Sequence, residues 1–228
     1  MNKCALAIFV KTPGYSPIKT RLARDIGDQL ATEFYLKSVK AVEESVALAA
    51  SVLPDLEPIW AVAETSALSD PLWENFERVA QSAGNLGERL SSIYSALKLK
   101  FNSVILIGAD SPQIQPSVFV NAAKLLLFSS KPQIVIGPAK DGGFFLFGSN
   151  AEYEKKFWTS IPYSSSETLS ELLKKLSPEN SLTMLPLRSD LDTKSDLRNI
   201  YSELFENTEM TPSQKLLLNF LSQYLLVE

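Results

Sequence analysis

The stretch KTPGYSPIKTRLA, residues 11–23, places three cations close together near the start of the chain. Lys11, Lys19 and Arg21 fall within it, and no acidic residue precedes Asp25. Lysine binds phosphate as a point charge and arginine binds it as a bidentate clamp. A solvent-exposed basic loop is the alternative for such a stretch. In a chain of net charge −4, a purely cationic segment favours a bound anion, and a phosphate group suits these side chains.

An apolar run, CALAIFV (residues 4–10), precedes the cationic stretch and predicts a buried strand. Pro13 and Gly14 then rule out a helix. A glycine-bearing loop after the first strand of a parallel α/β sheet presents backbone N–H groups to the crevice where such sheets bind ligands. The loop matches neither GxxxxGK[ST] nor GxGxxG, so a P-loop and a dinucleotide fingerprint are both excluded. We therefore predict a different nucleotide- or phosphate-binding loop, formed by Pro13, Gly14 and the three cations.

A second candidate group is Asp110, in the segment IGADSPQI (residues 107–114). The apolar run at 103–109 predicts a strand that ends at Asp110, and Pro112 prevents the strand from continuing. A carboxylate at that edge can bind a metal ion, with Ser111 as a nearby hydrogen-bonding group. The alternative is an ordinary turn in which Asp110 caps the following segment.

Three further aspartates, Asp190, Asp192 and Asp196, lie within the segment SDLDTKSDL. Capping of the helix that follows is one interpretation for Asp192 and Asp196. Mg²⁺, however, usually takes one or two carboxylates together with phosphate oxygens. With Asp110 and a phosphate loop elsewhere in the chain, Asp192 is a candidate for the second metal-binding carboxylate.

The segment GPAKDGGFFLFG, residues 137–148, carries the fourth group of candidates. Gly142 and Gly143 allow a ligand to approach the backbone closely, and Asp141 can accept hydrogen bonds from hydroxyl groups. These residues are therefore candidates for contacts to a sugar or an acceptor. A tight hairpin without any ligand is the alternative explanation for the glycine pair.

The composition excludes several kinds of chemistry. The chain of 228 residues contains no histidine and one cysteine, so Ser-His-Asp and Cys-His catalysis, an internal disulfide and a cysteine zinc site are all ruled out. A metal ion must then be bound by oxygen ligands, which favours Mg²⁺ or Mn²⁺. A sequence pI of about 5.1 argues against nucleic acid as a partner.

Apolar runs alternate with helical patterns along most of the chain, which predicts a parallel sheet covered on both faces within one domain. The predicted strands are 4–10, 58–63, 103–109 and 133–139, and the predicted helices are 28–50, 86–100, 116–128, 165–176 and one with Ser195 or Asp196 in its first turn. The DGG sequence at 141–143 predicts a reversal and an antiparallel partner strand.

The end of the chain and its start each allow one further expectation. Residues 211–228 predict a helix, apolar on more than one face, that packs on the core (1–206) or on a second copy of the chain. Binding to a membrane surface is the alternative, although only Lys215 supplies positive charge there.

The apolar run after Lys3 is too short for a signal peptide, and no run is long enough to span a membrane, so a cytoplasmic protein is expected.

The motifs FVKTPGYSPIKTRLA, NLGERL, GADSPQI, GPAKDGGFFLFG and DLDTKSDL, in this order, resemble the bacterial glycosyltransferase-A-like proteins once grouped as a domain of unknown function. The resemblance extends from residue 1 to about residue 200. It implies a Rossmann-like, three-layer α/β/α fold with a mixed, mainly parallel sheet, the fold of the nucleotide-diphospho-sugar transferases. It also implies a nucleotide near the carboxyl end of the first strand.

The resemblance also implies roles for single residues. It places Asp110 where related enzymes hold a divalent metal, and it places Gly87 and Arg89 of NLGERL with the nucleotide and its phosphates. KTRLA and DLDTKSDL additionally resemble the 2-phospholactate guanylyltransferases, in which the second aspartate of the later motif, here Asp192, helps to bind Mg²⁺. Asp141 and Glu167 are the candidates for the catalytic base, on motif position alone.

Two residues depart from the family pattern: Ser16 replaces a usual glycine, and Asn85 replaces a usual acidic residue.

Three functions stay open. The first is a Mg²⁺- or Mn²⁺-dependent glycosyltransferase that uses a nucleotide-sugar donor and an unknown small acceptor. The second is a nucleotidyltransferase that joins an NTP to a phosphorylated metabolite. The third is a non-catalytic nucleotide-binding protein, which Asn85 favours.

Overall fold

The computed structural model describes residues 2–227, within which the chain forms seven strands and eight α-helices. The strands are β1 (Cys4–Val10), β2 (Leu56–Val62), β3 (Glu77–Ala80), β4 (Ser103–Gly108), β5 (Gln133–Pro138), β6 (Phe144–Ser149) and β7 (Ser181–Met184). The helices are α1 (Thr20–Ile26), α2 (Asp28–Val52), α3 (Leu86–Lys98), α4 (Pro116–Leu127), α5 (Lys155–Thr159), α6 (Thr168–Lys174), α7 (Lys194–Phe205) and α8 (Pro212–Val227).

The strands form one sheet in the order β3-β2-β1-β4-β6-β5-β7. Strand β1 pairs in parallel with β2 and with β4, and β6 is antiparallel to both β4 and β5. The predicted mixed, mainly parallel sheet is therefore confirmed, and so is the predicted reversal between β5 and β6. Continuous apolar runs form the central strands because both of their faces are covered by helices.

Each face of the sheet has its own layer of helices. Apolar side chains of α2 and α4, such as Val42 and Phe119, pack on one face, and those of α3, α5 and α6, such as Ile93, Trp158 and Leu172, pack on the other. The predicted three-layer α/β/α fold is confirmed by this arrangement.

A third cluster of buried residues lies outside the sheet. It joins α1, α7 and α8 to the outer side of α2, and it includes Leu22, Phe34, Ile200 and Leu217. The predicted C-terminal helix thus packs on the domain, and its Tyr224 and Phe220 contact the Phe34 ring. Between residues 2 and 227 no helix is long and apolar enough to cross a membrane.

The order of the strands determines where a ligand can bind. From β1 the chain proceeds to β2 and β3 on one side, and then crosses to β4 on the other side. The strand order therefore reverses between β1 and β4. In open α/β sheets the carboxyl edge at such a switch point forms a crevice.

Candidate active site

A cavity of about 650 Å³ occupies the carboxyl edge of β1 and β4 and the first residues of β6. Eight of the predicted site residues line it: Lys11, Lys19, Arg21, Arg89, Asp110, Asp141, Gly143 and Asp192. Five other predicted site residues are not part of the lining: Pro13, Gly14, Gly87, Gly142 and Glu167. The structure thus brings the charged residues of separate motifs together, whereas most of the predicted glycines lie outside the lining.

The loop after β1 is held by side chains from other elements. The Tyr35 hydroxyl accepts a hydrogen bond from the Lys11 N–H (2.9 Å) and donates one to the Lys11 carbonyl (2.8 Å). Burial raises the pKa of Tyr35, so the hydroxyl keeps its proton and its role as donor. The Thr12 N–H donates to Glu64 Oε2 (2.9 Å), and Trp73 Nε1–H donates to Thr12 Oγ1 (3.0 Å). The backbone of the loop is therefore fixed at its start.

Lys19 is the most buried of the cations in the cavity. Its Nζ lies 2.8 Å from Asp110 Oδ1, and 7% of its side chain is exposed. Its φ of 44° is in the left-handed region, which non-glycine residues rarely adopt. Ser164, with a φ of 59°, is the other such non-glycine residue among residues 2–227, and it also lines the cavity. Strained backbone of this kind clusters at functional sites.

Arg21 forms a second ion pair on the same side of the cavity. Its Nη1 donates to Asp192 Oδ2 at 2.7 Å, and both side chains are substantially exposed. An exposed ion pair contributes little to stability, so both groups are free to exchange partners when a ligand binds. Asp196, by contrast, accepts hydrogen bonds from Thr193 N–H (2.7 Å) and Oγ1 (2.8 Å) and caps α7. Helix capping therefore accounts for Asp196 and leaves Asp192 for the cavity.

Asp190 is a cavity residue that the sequence interpretation did not assign. Ser111 Oγ–H donates to Asp190 Oδ1 at 3.0 Å. Burial, followed by the negative charges of Asp110 and Asp141, raises the pKa of Asp190 to about 7. The motif that contains Asp190 was recognised, but the crowding of the three carboxylates depends on contacts between distant segments. The Leu191 N–H, for example, donates to the Asp110 carbonyl at 2.8 Å.

The carboxylates fit a divalent ion that arrives with a phosphate. Asp110, Asp190 and Asp192 offer hard oxygen ligands in one cavity, which suits Mg²⁺ or Mn²⁺. Among the described residues, however, no three acidic or cysteine side chains form a ready metal-binding cluster. A metal ion bound by two protein carboxylates and by phosphate oxygens agrees with both observations.

The turn between β5 and β6 uses its two glycines differently. Gly142 has a φ of +90°, and a Cβ atom there would lie 2.2 Å from the Ser166 carbonyl oxygen. Its own carbonyl accepts a hydrogen bond from the Leu169 N–H at 2.9 Å. Gly143 lines the cavity and donates its N–H to Asp141 Oδ1 at 2.8 Å. Gly142 therefore serves packing, while Asp141 and Gly143 face the ligand space.

The start of α3 explains two residues of the NLGERL motif. A Cβ atom on Gly87 would lie 2.7 Å from the Trp158 carbonyl oxygen, so Gly87 allows α3 to pack closely. Asn85 Oδ1 accepts from the Glu88 N–H (3.0 Å), and the Asn85 N–H donates to Glu88 Oε2 (3.1 Å). Asn85 therefore forms a capping box with Glu88 through its Oδ1 atom and its backbone N–H, and an aspartate could cap the helix in the same way.

The structure also shows where Glu167 and Ser16 lie. Glu167 is exposed and lies at the start of α6, outside the cavity lining, so Asp141 is the better placed of the two candidate bases. Ser16 does not have a positive φ and therefore needs no glycine; its N–H donates to the Thr12 carbonyl at 3.2 Å.

The lining of the cavity combines charged and apolar side chains. The charged wall comprises Lys19, Arg21, Asp110, Asp190 and Asp192. The apolar lining residues come from both faces of the sheet: Phe9, Leu90 and Leu106 from one, and Val10, Ile107 and Phe145 from the other. Sequence patterns predicted most of the charged wall and none of these apolar residues as part of the site.

Structural comparison identifies the fold as that of the nucleotide-diphospho-sugar transferases. A candidate nucleotide-diphospho-sugar transferase from Desulfovibrio desulfuricans G20 superposes with a TM-score of 0.82 at 22% identity, covering 98% of this chain and 99% of that chain. At this identity the similarity establishes the fold alone. The sequence itself matches the family described as "Uncharacterized protein conserved in bacteria (DUF2064)" over residues 46–165, and the chain belongs to this family.

Two more distant structures share the fold. Rv0371c from Mycobacterium tuberculosis H37Rv gives a TM-score of 0.52 at 11% identity, covering 87% of this chain and 97% of that chain. Glucosyl-3-phosphoglycerate synthase from M. tuberculosis, in complex with Mn²⁺, UDP and glucosyl-3-phosphoglycerate, gives a TM-score of 0.52 at 11% identity. The match covers 90% of this chain and 79% of that chain. A search of the curated proteins gave no match.

Proposed function

We propose that the protein is a divalent-metal-dependent glycosyltransferase that uses a nucleotide-diphospho-sugar donor. The observation that carries the proposal is the pairing of Lys19 with Asp110 and of Arg21 with Asp192 around one cavity at the switch point of the sheet. Cations suit the donor diphosphate, and carboxylates suit a metal ion bound beside it. The presence of both in one cavity fits a metal-bound diphosphate better than either a free phosphate or a metal ion alone.

In the proposed reaction, Lys11, Lys19 and Arg21 bind the diphosphate, and Arg89 binds the nucleotide from the α3 side. Asp110 and Asp192 hold Mg²⁺ or Mn²⁺, which would supply positive charge beside the bond that breaks. Because these groups face the leaving diphosphate, their electrostatic contribution grows as negative charge develops there.

The acceptor side of the reaction depends on the turn between β5 and β6. The acceptor oxygen forms a bond to the anomeric carbon, the bond from that carbon to the phosphate oxygen breaks, and a nucleoside diphosphate leaves. Asp141 takes the proton of the acceptor hydroxyl, since it lies in the cavity and no histidine exists in the chain. Gly143 provides a place where the sugar or the acceptor approaches the backbone closely.

The relatives suggest which ligands to try first. Glucosyl-3-phosphoglycerate synthase was crystallised with Mn²⁺ and UDP, and Rv0371c with manganese at a TM-score of 0.50. Both are too distant to assign an activity to this chain. They support the choice of Mn²⁺ and uridine nucleotides as probes.

A nucleotidyltransferase is the second candidate, and one contact favours it. Arg21 and Asp192 lie in the two segments that resemble the 2-phospholactate guanylyltransferases, and the two side chains touch at 2.7 Å. The same phosphate- and metal-binding groups would serve that reaction. Its product would be pyrophosphate, whereas the glycosyltransferase would release a nucleoside diphosphate. The non-catalytic alternative stays a prediction that rests on Asn85, which caps α3.

A thermal-shift panel tests the proposal directly. NTPs, NDPs and nucleotide sugars are each added with Mn²⁺ or with EDTA. A ligand at a hundred times its Kd stabilises the folded state by about 2.7 kcal/mol, which such an assay detects. Stabilisation by one nucleotide sugar with Mn²⁺, followed by release of its diphosphate, is the expected result. Stabilisation by an NTP alone, with pyrophosphate as product, would favour the second candidate.

Replacement of Asp110 by Asn provides the matched variant for the panel. The shape of the side chain is kept and its charge is lost. The affinity for the ligand in the presence of Mn²⁺ should therefore fall about tenfold or more. Unchanged affinity in the presence of Mn²⁺ would contradict the metal assignment.

A further inference from the structure

The carboxylates of the cavity stand on three loops that are far apart in the sequence. A divalent ion with ligands on two of these loops needs a fixed separation between them, because Mg²⁺ in particular tolerates little departure from octahedral geometry. The loops are named here by their carboxylates: the Asp110 loop (residues 109–115), the Asp141 loop (residues 139–143) and the Asp192 loop (residues 188–193).

Glu203, in α7, contacts all three loops with one carboxylate. Its Oε1 atom accepts a hydrogen bond from Ser189 Oγ–H at 2.7 Å and lies 3.0 Å from Lys140 Nζ. Its Oε2 atom accepts a hydrogen bond from Gln113 Nε2–H at 2.9 Å. The Ser189 backbone N–H also donates to Oε1, at 3.2 Å. Each of the three loops therefore supplies one side chain to Glu203.

These contacts lie behind the cavity. The Glu203 side chain is 10% exposed, Gln113 is 4% exposed and Ser189 is 1% exposed, and none of them lines the cavity. Burial alone would raise the pKa of Glu203, but hydrogen bonds from Ser189, Lys140 and Gln113 lower it, so the group is a carboxylate at neutral pH. Hydrogen bonds to an ionised acceptor are the stronger kind, and a buried charge needs them to be tolerated.

The three loops also contact one another beside Glu203. Gln113 Nε2–H donates to the Ser189 carbonyl at 2.7 Å, and both partners of this nitrogen are acceptors, which determines the orientation of the amide. The Lys140 N–H donates to the Arg188 carbonyl at 2.9 Å. The loops thus form one hydrogen-bonded unit, with the Glu203 carboxylate at its centre.

We propose that Glu203 is a positioning residue, which fixes the separation of the cavity carboxylates by holding their three loops on one buried carboxylate. It touches neither the donor nor the metal ion. Its effect on Mg²⁺ or Mn²⁺ rests on the proposed function, in which Asp110 and Asp192 hold the metal. Replacing residues that orient metal ligands typically lowers metal affinity about ten- to a hundredfold.

Binding of Mn²⁺ in the presence of UDP, followed by EPR, tests the effect on the metal. Glu203→Asp keeps the charge and shortens the side chain, whereas Gln113→Met removes the amide without changing any charge. We expect both variants to bind Mn²⁺ about tenfold more weakly. A Coulomb attraction between Glu203 and the metal would instead leave both affinities unchanged, and that result would overturn the proposal.

Glu206→Asp is the matched control for these measurements. Glu206 follows α7, is exposed, and offers the same change of side chain as Glu203→Asp. Its Mn²⁺ affinity should equal that of the unmodified protein. All proteins are compared at a temperature at which circular dichroism shows them folded, so a loss of stability alone does not change the measured affinity.

Amide hydrogen exchange tests the positioning without any ligand. One amide in each loop makes a hydrogen bond that does not involve Glu203, so its exchange reports movement of the loop. We expect all three amides to exchange about tenfold faster in Glu203→Asp. Acceleration in one loop alone, or to the same extent throughout the protein, would assign Glu203 an ordinary structural role and reject the proposal. The amides and their acceptors are Ile114 to Ser111 (3.3 Å), Gly142 to Ala139 (3.1 Å) and Leu191 to Asp110 (2.8 Å).

Lys140→Met releases one loop and provides a second variant in case Glu203→Asp does not fold. The Lys140 side chain is 45% exposed, so its replacement should leave the fold intact. The Gly142 amide should exchange faster, while Ile114 and Leu191 should exchange as before. No change at Gly142 would contradict the role of Glu203 in holding the Asp141 loop.

The two measurements separate this inference from the proposed function. If the unmodified protein binds Mn²⁺ with none of the nucleotides of the thermal-shift panel, the proposed function fails. The exchange experiment then decides on Glu203 alone. Faster exchange in all three loops of Glu203→Asp would retain the positioning role, and unchanged exchange would reject it.

Discussion

Two loops at the carboxyl edge of the sheet contain glycine, and the structure uses them in opposite ways. The first loop, residues 11–19, is held by hydrogen bonds with the Tyr35, Glu64 and Trp73 side chains, and the space around Gly14 is empty. The second loop, residues 139–143, is closed by backbone contacts, and Gly142 has no room for a side chain.

The difference concerns what each glycine permits. Gly14 allows the chain to turn with a φ of +85°, whereas Gly142 allows two backbone segments to touch. Neither lines the cavity, although both stand in motifs that suggested a ligand. What the ligand meets in each loop is its charged side chains, which are Lys11 and Lys19 in the first and Asp141 in the second.

The largest effect is expected from alanine at the two glycines. Gly142→Ala combines a positive φ with a clash against the Ser166 carbonyl, so we expect a loss of about 3 kcal/mol or more in the free energy of unfolding. Gly14→Ala suffers only the positive φ and should lose about 1 kcal/mol. Denaturant unfolding of both variants measures the difference. Equal losses would mean that Ser166 moves freely and that the second loop is not tightly packed.

A smaller difference is expected between the two ion pairs of the charged wall. Asp110→Asn leaves the Lys19 ammonium group, 7% exposed, without its carboxylate, and should cost about 1–2 kcal/mol because Asp110 itself is half exposed. Asp192→Asn leaves only an exposed arginine and should change stability by less than about 0.5 kcal/mol. Thermal unfolding with a chelator present compares the two. A larger loss for Asp192→Asn would mean that the Arg21–Asp192 pair, and not the Lys19–Asp110 pair, is the more buried of the two.

Asp190 should make stability depend on pH. Its pKa in the folded protein, about 7, exceeds its ordinary value of 3.8, because it is buried beside Asp110 and Asp141, while Lys19 and Ser111 partly offset them. Between about pH 4 and pH 7 the folded state keeps a proton that the unfolded state has lost, so stability from this group falls as pH rises through that range.

The variant Asp190→Asn removes this titration. Relative to the unmodified protein, we expect a gain in stability that grows between about pH 4 and pH 7, to about 2 kcal/mol or more, and then levels off, measured by urea unfolding in chelator. Glu206→Gln, at an exposed position after α7, is the control and should follow the unmodified protein. Parallel curves of stability against pH for all three proteins would show that the pKa of Asp190 is not raised in the folded protein.

The smallest effect on folding is expected at Arg21. Its side chain is 59% exposed, so Arg21→Ala should leave the fold intact and weaken di- and triphosphates about three- to tenfold at low salt. Nucleosides should bind as before, and the loss should shrink at high salt. Equal weakening of nucleosides, seen in the same titrations, would mean that Arg21 supports the structure of the first loop and does not bind phosphate.

The sequence was most informative where the pattern is local. The strands at 4–10 and 103–109, the reversal at 141–143 and the helix at 28–50 follow from hydrophobic periodicity and turn residues, and all four are present. Strand β3 was not predicted, because its four residues, Glu77–Ala80, lie at the edge of the sheet and carry no continuous apolar run.

The site was predictable for residues that follow a strand directly, such as Lys11 and Asp110. It was not predictable where distant segments meet. The pKa of Asp190 is raised first by burial and then by Asp110 and Asp141, which are far away in the sequence. The apolar lining residues were not predicted for a different reason, since residues like Leu86 and Phe144 are indistinguishable in sequence from core residues.

The third hydrophobic cluster has a consequence for how the protein opens. Helix α1, which carries Arg21, contributes Leu22 to the cluster that α7 and α8 form with the outer side of α2, while the sheet has its own cores on either face. We expect amide hydrogens of α1, α7 and α8 to exchange through one shared, partial unfolding event that leaves the sheet protected. A bound diphosphate would slow that event, so the last helix of the chain, which does not line the cavity, would report its occupancy.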